Sequence, residues 1–373
     1  MFPAEKKLLD QLNKRKQGEL LRTLSLTSDS SIDFYSNDYL GFSKLETKNT
    51  NLITRSGSTG SRLLSGNYPD IESLEKKISN FHHSESSLLF NSGYDANLGL
   101  LSCVPQREDL IFYDELVHAS IIDGLMLSHA KSVKFRHNDL NDLINKIERQ
   151  NTHDKTIYIV VESVYSMDGD IAPLKELNFI CLEKGYHLIV DEAHAGGIYG
   201  QNGEGMCYQE NIHHSCFARI ITYGKAFGVH GASICGSEIL KQFLINFSRP
   251  FIYTTALPQH TVLSIFEKYE NMIGIGNSER EKLFNNITKF SKIFSGLKGY
   301  QFNNRSPIQT IIIPGNIEVN NVSTHIKSCG FEIRPIKSPT VKAGTERLRI
   351  CLHSFNTNEE INNLFLVLSE KLN

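Results

Sequence analysis

Between Ser87 and Cys235 the chain repeats one alternation: a short β-branched or apolar run, then a longer amphipathic stretch, then another short run. Strands separated by helical lengths of chain return by crossover and lie parallel, which commits this stretch to an α/β sheet. The runs are SLLF (87–90), LIFY (110–113), SVKF (132–135), TIYIVV (156–161), HLIV (187–190), ARIIT (218–222) and ASIC (232–235), and seven such strands fit one sheet. Only about nine residues part the last two, too few for a helical crossover, so that pair is expected to be antiparallel or distorted.

Between the runs, Asn138–Arg149 reads as a helix begun by an asparagine cap, and Pro173–Lys184 puts a proline where a first helical turn tolerates it. After about Glu267 the pattern becomes a long polar helix (Ser278–Leu297), the runs QTIIIP, FEIRPI and RLRICL, and a terminal helix from Thr357, the outline of a smaller α+β unit. The expected division is an N-terminal arm over 1–45, a large domain over 46–272 and a small C-terminal domain over 273–373. The arm is read as a helix followed by a short strand and a turn in DFYSNDYLG.

Charge narrows the partners. Thirty-nine Lys+Arg against 41 Asp+Glu leave a net charge of -2 over 373 residues, without the basic surface that nucleic acid requires. The longest apolar runs, Thr156–Val161 and Thr310–Pro314, fall far short of the roughly 18 residues that span a bilayer. The N-terminus, MFPAEKKLLDQLNKRKQG, is charged where a secretory signal needs an apolar core, so a cytoplasmic protein with no membrane partner is expected. Seven cysteines, with no C-x-x-C pair and no histidines at zinc-like spacing, predict reduced thiols and no metal site.

Strand ends carry the chemistry. HLIVDEAH (187–194) is an apolar run ending in Asp191 and Glu192, with His194 three residues after the aspartate. Carboxyl ends of strands in open α/β sheets are where ligands bind. A Walker B reading of this segment requires an upstream G-x-x-x-x-G-K-[ST], which the chain lacks. Next, ARIIT runs into TYGKAFGVHG, a lysine on a loop of small residues where it can shed solvent and a proton. Together, Asp191 can keep a pyridine nitrogen protonated and Lys225 can form an imine, the two groups that pyridoxal phosphate chemistry needs.

A phosphate anchor follows from FNSGYDANLG (90–99), where Gly93 stands at a strand-to-helix junction whose free N–H groups can meet a dianion; Thr222 offers a hydroxyl to the same phosphate. His118, in YDELVHASIIDG, follows a strand and begins a helix. It is either a capping residue or an aromatic plane able to lie against a cofactor ring. Ser166, in ESVYSMDGD, is placed at the pocket rim.

SNDYLGFS (36–43), GSTGSRLLSGNYPDIESLE (57–75), YDELVHASIIDG, VYSMDGDIAPL, VDEAHAGGIYG, TYGKAFGVHG, FIYTTALP and SPTVKAGTERLRICL together resemble the α-oxoamine synthases, over a span from about residue 15 to the C-terminus. These are fold-type I pyridoxal phosphate enzymes. The resemblance implies a mostly parallel seven-stranded sheet with helices on both faces, a smaller α+β C-terminal domain, pyridoxal 5'-phosphate as cofactor, and a homodimer with its active site at the subunit interface. It also implies roles: Lys225 matches the lysine joined to the cofactor, Asp191 the pyridine-nitrogen partner, His194 the ring-oxygen partner and His118 the stacked ring. Gly93 and Tyr94 match the phosphate-side turn, and Ser166 and Thr222 further cofactor contacts. Thr254 and Thr255 match a stretch reaching the phosphate from the partner subunit. Arg349 matches the grip on the amino acid's carboxylate, and Arg22, Asn37 and Thr340 the acyl side. Two departures stand out: Gly224 where many relatives have serine, and AHAGG in place of A-H-G-x-G.

Within the family the chain looks most like the branch that joins L-alanine to pimeloyl-CoA, or its carrier-protein equivalent, in biotin biosynthesis. The alternatives are a sister synthase using glycine or serine with another acyl-CoA, such as 2-amino-3-ketobutyrate CoA ligase, and a non-catalytic subunit of the same fold.

Overall fold

The computed structural model describes residues 2–18, 20–24, 26, 30–46, 55–297, 299–300, 302 and 305–372. In chain order its strands are β1 (Ile32–Asp33), β2 (Ser86–Phe90), β3 (Leu110–Asp114), β4 (Lys131–Phe135), β5 (Ile157–Glu162) and β6 (His187–Asp191). They continue with β7 (Ala218–Thr222), β8 (Ala232–Gly236), β9 (Ile308–Ile312), β10 (Phe331–Glu332), β11 (Arg334–Ile336) and β12 (Arg347–Cys351). The chain divides into two compact units, one of Asn37–Ser166 and Asp170–Lys282, the other of Met1–Ser36, Met167–Gly169 and Leu283–Asn373.

The first unit holds all seven strands expected of the central sheet, in the order β2-β8-β7-β6-β5-β3-β4. Every residue of β2 and β5 is buried, as apolar runs covered on both faces require. At the edge, β4 exposes Lys131, Ser132 and Lys134, charge and polarity that blunt an open strand edge. β3 to β7 pair in parallel, whereas β8 runs antiparallel to both β7 and β2. The short link between β7 and β8 forces that reversal, because Tyr223–Gly231 cannot make a helix and return. Chain order also changes direction between β3 and β5, the switch point outside which ligands of open α/β sheets bind.

Helix boundaries differ from the sequence reading in instructive ways. The helix expected from Asn138 is Leu140–Glu148, and its cap is Asp139, whose carboxylate accepts from Asp142 N at 2.9 Å. Asn138 instead takes a left-handed turn (φ 52°) and donates its side-chain amide to Asp170 Oδ2 at 2.7 Å. Pro173 stands just before the helix Leu174–Lys184 rather than in its first turn. The long polar helix is Gly276–Phe294.

In the second unit β11-β12-β9 form an antiparallel sheet and β1 pairs in parallel with β10. FEIRPI therefore breaks into two short strands at Ile333 and serves both sheets. The terminal helix, Asn358–Leu372, starts with reciprocal capping: Thr357 Oγ1 accepts from Glu360 N, and Glu360 Oε2 accepts from Thr357 N.

Two glycines show where backbone conformation alone, and conformation plus contact, exclude a side chain. Gly185 (φ 70°) has open space around its missing Cβ, whereas at Gly228 (φ 67°) a Cβ would lie 2.2 Å from Ser43 N. Gly185→Ala should cost about 1 kcal/mol, the strain of a left-handed alanine, and Gly228→Ala at least about 2 kcal/mol because backbone cannot yield. Equilibrium urea unfolding of both variants checks the difference; equal losses would show that the Gly228 contact relaxes freely.

Candidate active site

The ends of β5, β6 and β7 open on a cavity of about 250 Å³ lined by Asn97, His118, Glu162, Asp191, His194 and Lys225, together with Asn37, Gly93, Tyr94 and Thr222. Asp191 ends β6 and is only 4% exposed, a costly place for a carboxylate unless its oxygens are hydrogen-bonded. Asn97 Nδ2 donates to its Oδ2 at 2.7 Å and Ala193 N to its Oδ1 at 2.9 Å.

Asn97 also links the carboxylate to His118. Its amide donates to Ser120 Oγ at 3.0 Å, and Ser120 Oγ lies 2.8 Å from His118 Nδ1. His118 caps the helix Ala119–Leu127 by accepting from Ser120 N on the same nitrogen. Two donors converging on Nδ1 leave the ring's proton on Nε2. Burial pushes this imidazole's pKa down, Asp191 opposes that and Lys225 adds to it, so His118 caps its helix and lines the cavity with a ring that burial drives towards the neutral form.

Lys225 projects from the β7–β8 loop, which closes on itself through Gly228 N to Lys225 O (2.8 Å) and Val229 N to Tyr223 O (2.9 Å). Its Nζ lies 2.8 Å from His194 Nε2, and His194 Nδ1 lies 2.8 Å from the Tyr39 hydroxyl. Thr222 ends β7 and hydrogen-bonds Ala193 O. Opposite it the helix Gly93–Cys103 begins, capped by Ser92. A Cβ at Gly93 would stand 2.4 Å from Thr222 Cγ2, so only glycine lets this helix start approach the strand end. Tyr94 lines the cavity and hydrogen-bonds Asp123 through its hydroxyl.

Glu162 pairs in register with Asp191 across β5 and β6, placing two carboxyl groups side by side at 2% and 4% exposure. Burial pushes Glu162 up to about 8, with Asp191 reinforcing the shift and Lys225 opposing it. Its Oε1 is buried without a hydrogen-bond partner.

The other expected residues lie elsewhere. Ser166 sits in the turn after β5, outside the residues lining the cavity. Thr254 and Thr255 follow the short helix Arg249–Ile252, held by Asn91 Nδ2 donating to Thr254 Oγ1 (3.2 Å) and Thr255 O (2.9 Å). Arg22 and Thr340 line a different cavity, of about 400 Å³, within the second unit, beside Arg15, Lys327, Arg334 and Lys337. Arg349 lies on β12, buried, its Nη1 donating to Cys351 Sγ at 2.9 Å. Among the described residues no cluster of three or more His, Cys, Asp or Glu is arranged to hold a metal, and all seven cysteines are free thiols.

Four residues at this site carried no role in the sequence reading: Tyr39, Asn97, Ser120 and Glu162. Each lies inside a motif quoted above, and what singles it out is its neighbour on another element.

Beside the cavity, His137 is clamped between Asp114 (2.9 Å) and Asp170 (2.5 Å). Asp114 also accepts from Leu116 N and Asn138 N, so the clamp fixes the loop that leads to His118.

A family model described as "Aminotransferase class I and II" matches residues 29–366. An 8-amino-7-oxononanoate synthase from Emericella nidulans is 38% identical over 96% of this chain and 93% of its own length. The crystal structure of 8-amino-7-oxononanoate synthase from Francisella tularensis superposes with a TM-score of 0.79 at 30% identity, over 92% of this chain and 98% of that one. A serine palmitoyltransferase from S. paucimobilis, solved with a bound PLP-myriocin aldimine, superposes with a TM-score of 0.88 at 23% identity, over 100% and 98% of the two chains, a likeness of fold.

The His137 clamp has a pH signature. Burial alone would lower this imidazole's pKa, but the hydrogen bonds to Asp114 and Asp170 outweigh it and hold the pKa at about 10. A raised folded-state value gives stability that is fully present below the ordinary 6.5 and lost as pH rises through about 10. The stability gap between the native chain and His137→Gln should therefore be widest at and just below pH 6.5 and close towards pH 10, read from urea midpoints at each pH. A gap independent of pH would show the imidazole to be neutral in the clamp.

Proposed function

We propose that this chain, which belongs to the aminotransferase class I and II family and within it to the α-oxoamine synthases, condenses L-alanine with a pimeloyl thioester. The reaction releases the free thiol and carbon dioxide and leaves 8-amino-7-oxononanoate, a step of biotin biosynthesis. The observation that carries this reading is the convergence on one cavity of an amine, Lys225, with a buried carboxylate, Asp191, beside an open helix start at Gly93. The choice of alanine and a pimeloyl chain is supported by the activity named for the Emericella and Francisella relatives.

Pyridoxal 5'-phosphate fits the residues present. The helix that starts at Gly93 and Tyr94 opens on the cavity, where first-turn backbone N–H groups can meet a phosphate, and the orphaned Oε1 of Glu162 is the kind of buried polar atom that a ligand satisfies. Lys225 would hold the cofactor's carbonyl carbon, Asp191 its ring nitrogen, His194 its ring oxygen and His118 its ring face, with Gly93, Tyr94 and Thr222 on the phosphate side and Ser166 assigned as a further cofactor contact. When bound, the cofactor supplies an electron sink for the amino acid's α-carbon.

The chain's own groups do the rest. Asp191, fixed by Asn97 and Ala193, stabilises a proton on the ring nitrogen. Lys225 Nζ takes the substrate's α-proton as general base. Arg349 offers a guanidinium, suited to a two-point grip on the amino acid's carboxylate, and Arg22, Asn37 and Thr340 serve the acyl side. Thr254 and Thr255 are assigned to the phosphate of a second copy, making the working form a homodimer. A cytoplasmic location belongs to the same proposal; no helix among the described residues is long and apolar enough to cross a membrane.

The test is a substrate panel. Cofactor-loaded protein given alanine, glycine or serine with pimeloyl-, acetyl- or palmitoyl-CoA should release free thiol fastest with alanine and pimeloyl-CoA; a preference for glycine or serine moves the chain to a sister synthase. Lys225→Ala should lose the visible absorption of the loaded protein and lower turnover by about 10²–10⁴-fold or more. A variant that keeps both removes the lysine from its role.

A further inference from the structure

The amine that this reading depends on is not held by its own loop alone. On one side of His194, Nε2 lies 2.8 Å from Lys225 Nζ; on the other, Nδ1 lies 2.8 Å from the hydroxyl of Tyr39. Tyr39 is fully buried, and its hydroxyl donates to Asn37 Oδ1 at 3.1 Å. A phenol carries one proton. With that proton on Asn37, the contact to His194 is made the other way, Nδ1–H donating to the phenolic oxygen. The Nδ1–H tautomer leaves a lone pair on Nε2, facing the lysine, and an ammonium N–H donates to it. The three hydrogen bonds then run in one direction, from Lys225 through His194 and Tyr39 to Asn37.

We propose that Tyr39 is a positioning residue for Lys225: through its contact with His194 Nδ1 it selects the tautomer that receives a hydrogen bond from the lysine, and so orients the amine and strengthens its hold on a proton. The chain ends on an amide oxygen that does not take up a proton, so it keeps the proton at Nζ and does not carry it away. This role deepens the assignment of Lys225 as the site's working amine and rests on it.

Among the described residues lining the cavity, the other titratable groups are Glu162 at the end of β5, Asp191 at the end of β6, His118, Tyr94 and His230. The two carboxyl groups act on the amine through space and are untouched by a change at Tyr39, so a shift caused by that change reports the His194 contact.

The experiment reads the lysine in the full chain freed of cofactor. The pH dependence of reductive methylation at Lys225, followed by peptide mass spectrometry, gives the midpoint at which the amine loses its proton. Tyr39→Phe should lower that midpoint by about half to one pH unit, the size of one net hydrogen bond. Nitrogen NMR at a pH below that midpoint should find the native His194 protonated on Nδ1, and Tyr39→Phe should remove that preference. If the phenylalanine variant does not fold, the tautomer of His194 in the native protein decides. A midpoint that stays put or rises in a folded Tyr39→Phe protein, or a native His194 protonated on Nε2, overturns the proposal. Because no substrate or cofactor enters these measurements, their failure is distinct from a failure of the substrate panel.

Discussion

A carboxylate at 4% exposure is tolerable only if the protein supplies the hydrogen bonds that water would have made, and much of the sheet-bearing unit's local order follows from doing so for Asp191. One oxygen is held by the backbone of the turn that carries His194, the other by Asn97 from the helix that starts at Gly93. The same amide reaches Ser120, and Ser120 fixes His118 at the start of the next helix. A single buried charge thus couples a strand end, a turn and two helix starts. Loosening any of them exposes an unsatisfied carboxylate, so these elements hold one another in register at the cavity wall.

The reversed strand β8 makes the other half of the site. A parallel neighbour would have required a long crossover after β7; the antiparallel return needs only a tight loop, and Lys225 stands in that loop. Gly228, left-handed and pressed on the backbone of Ser43, lets the loop fold back on Tyr223 within so few residues. The position of the amine is therefore a consequence of strand direction, fixed by backbone hydrogen bonds before any side chain is considered.

This explains which parts were legible in the sequence. The seven central strands are, to within a residue at each end, apolar runs between amphipathic stretches, because strands buried on both faces write that pattern into neighbouring residues. The antiparallel β7–β8 pair was legible from loop length alone. Asp191, Lys225 and Gly93 were legible because strand ends and a glycine junction are local signals. Asn97, Ser120, Glu162 and Tyr39 were not, since each acts through a partner on another element: Glu162 matters by its register with Asp191, and Tyr39 by contact with a ring 155 positions away. The pairing of β1 with β10 joins opposite ends of the sequence through two residues each, too short to leave a periodic trace. The cap at Asp139 shows the limit of even local signals: both Asn138 and Asp139 are good caps, and the choice fell to Asp170, which engages Asn138.

Burial at the cavity also selects which groups carry charge there. Glu162 and His118 are both titratable, both line the cavity, and burial works on them in opposite directions, up for the acid and down for the base, so that each favours its neutral form. At Asp191 two N–H donors meet the carboxylate oxygens. His194 receives a third treatment, a hydroxyl on one nitrogen and an amine on the other, which fixes the position of its proton more than its charge. The result is a cavity wall in which burial favours the neutral acid at Glu162 and the neutral ring at His118, beside a hydrogen-bonded aspartate and an amine. Near-equal totals of acidic and basic side chains over the whole chain have no part in this; the selection is made within the cavity wall, by burial and by which donor meets which acceptor.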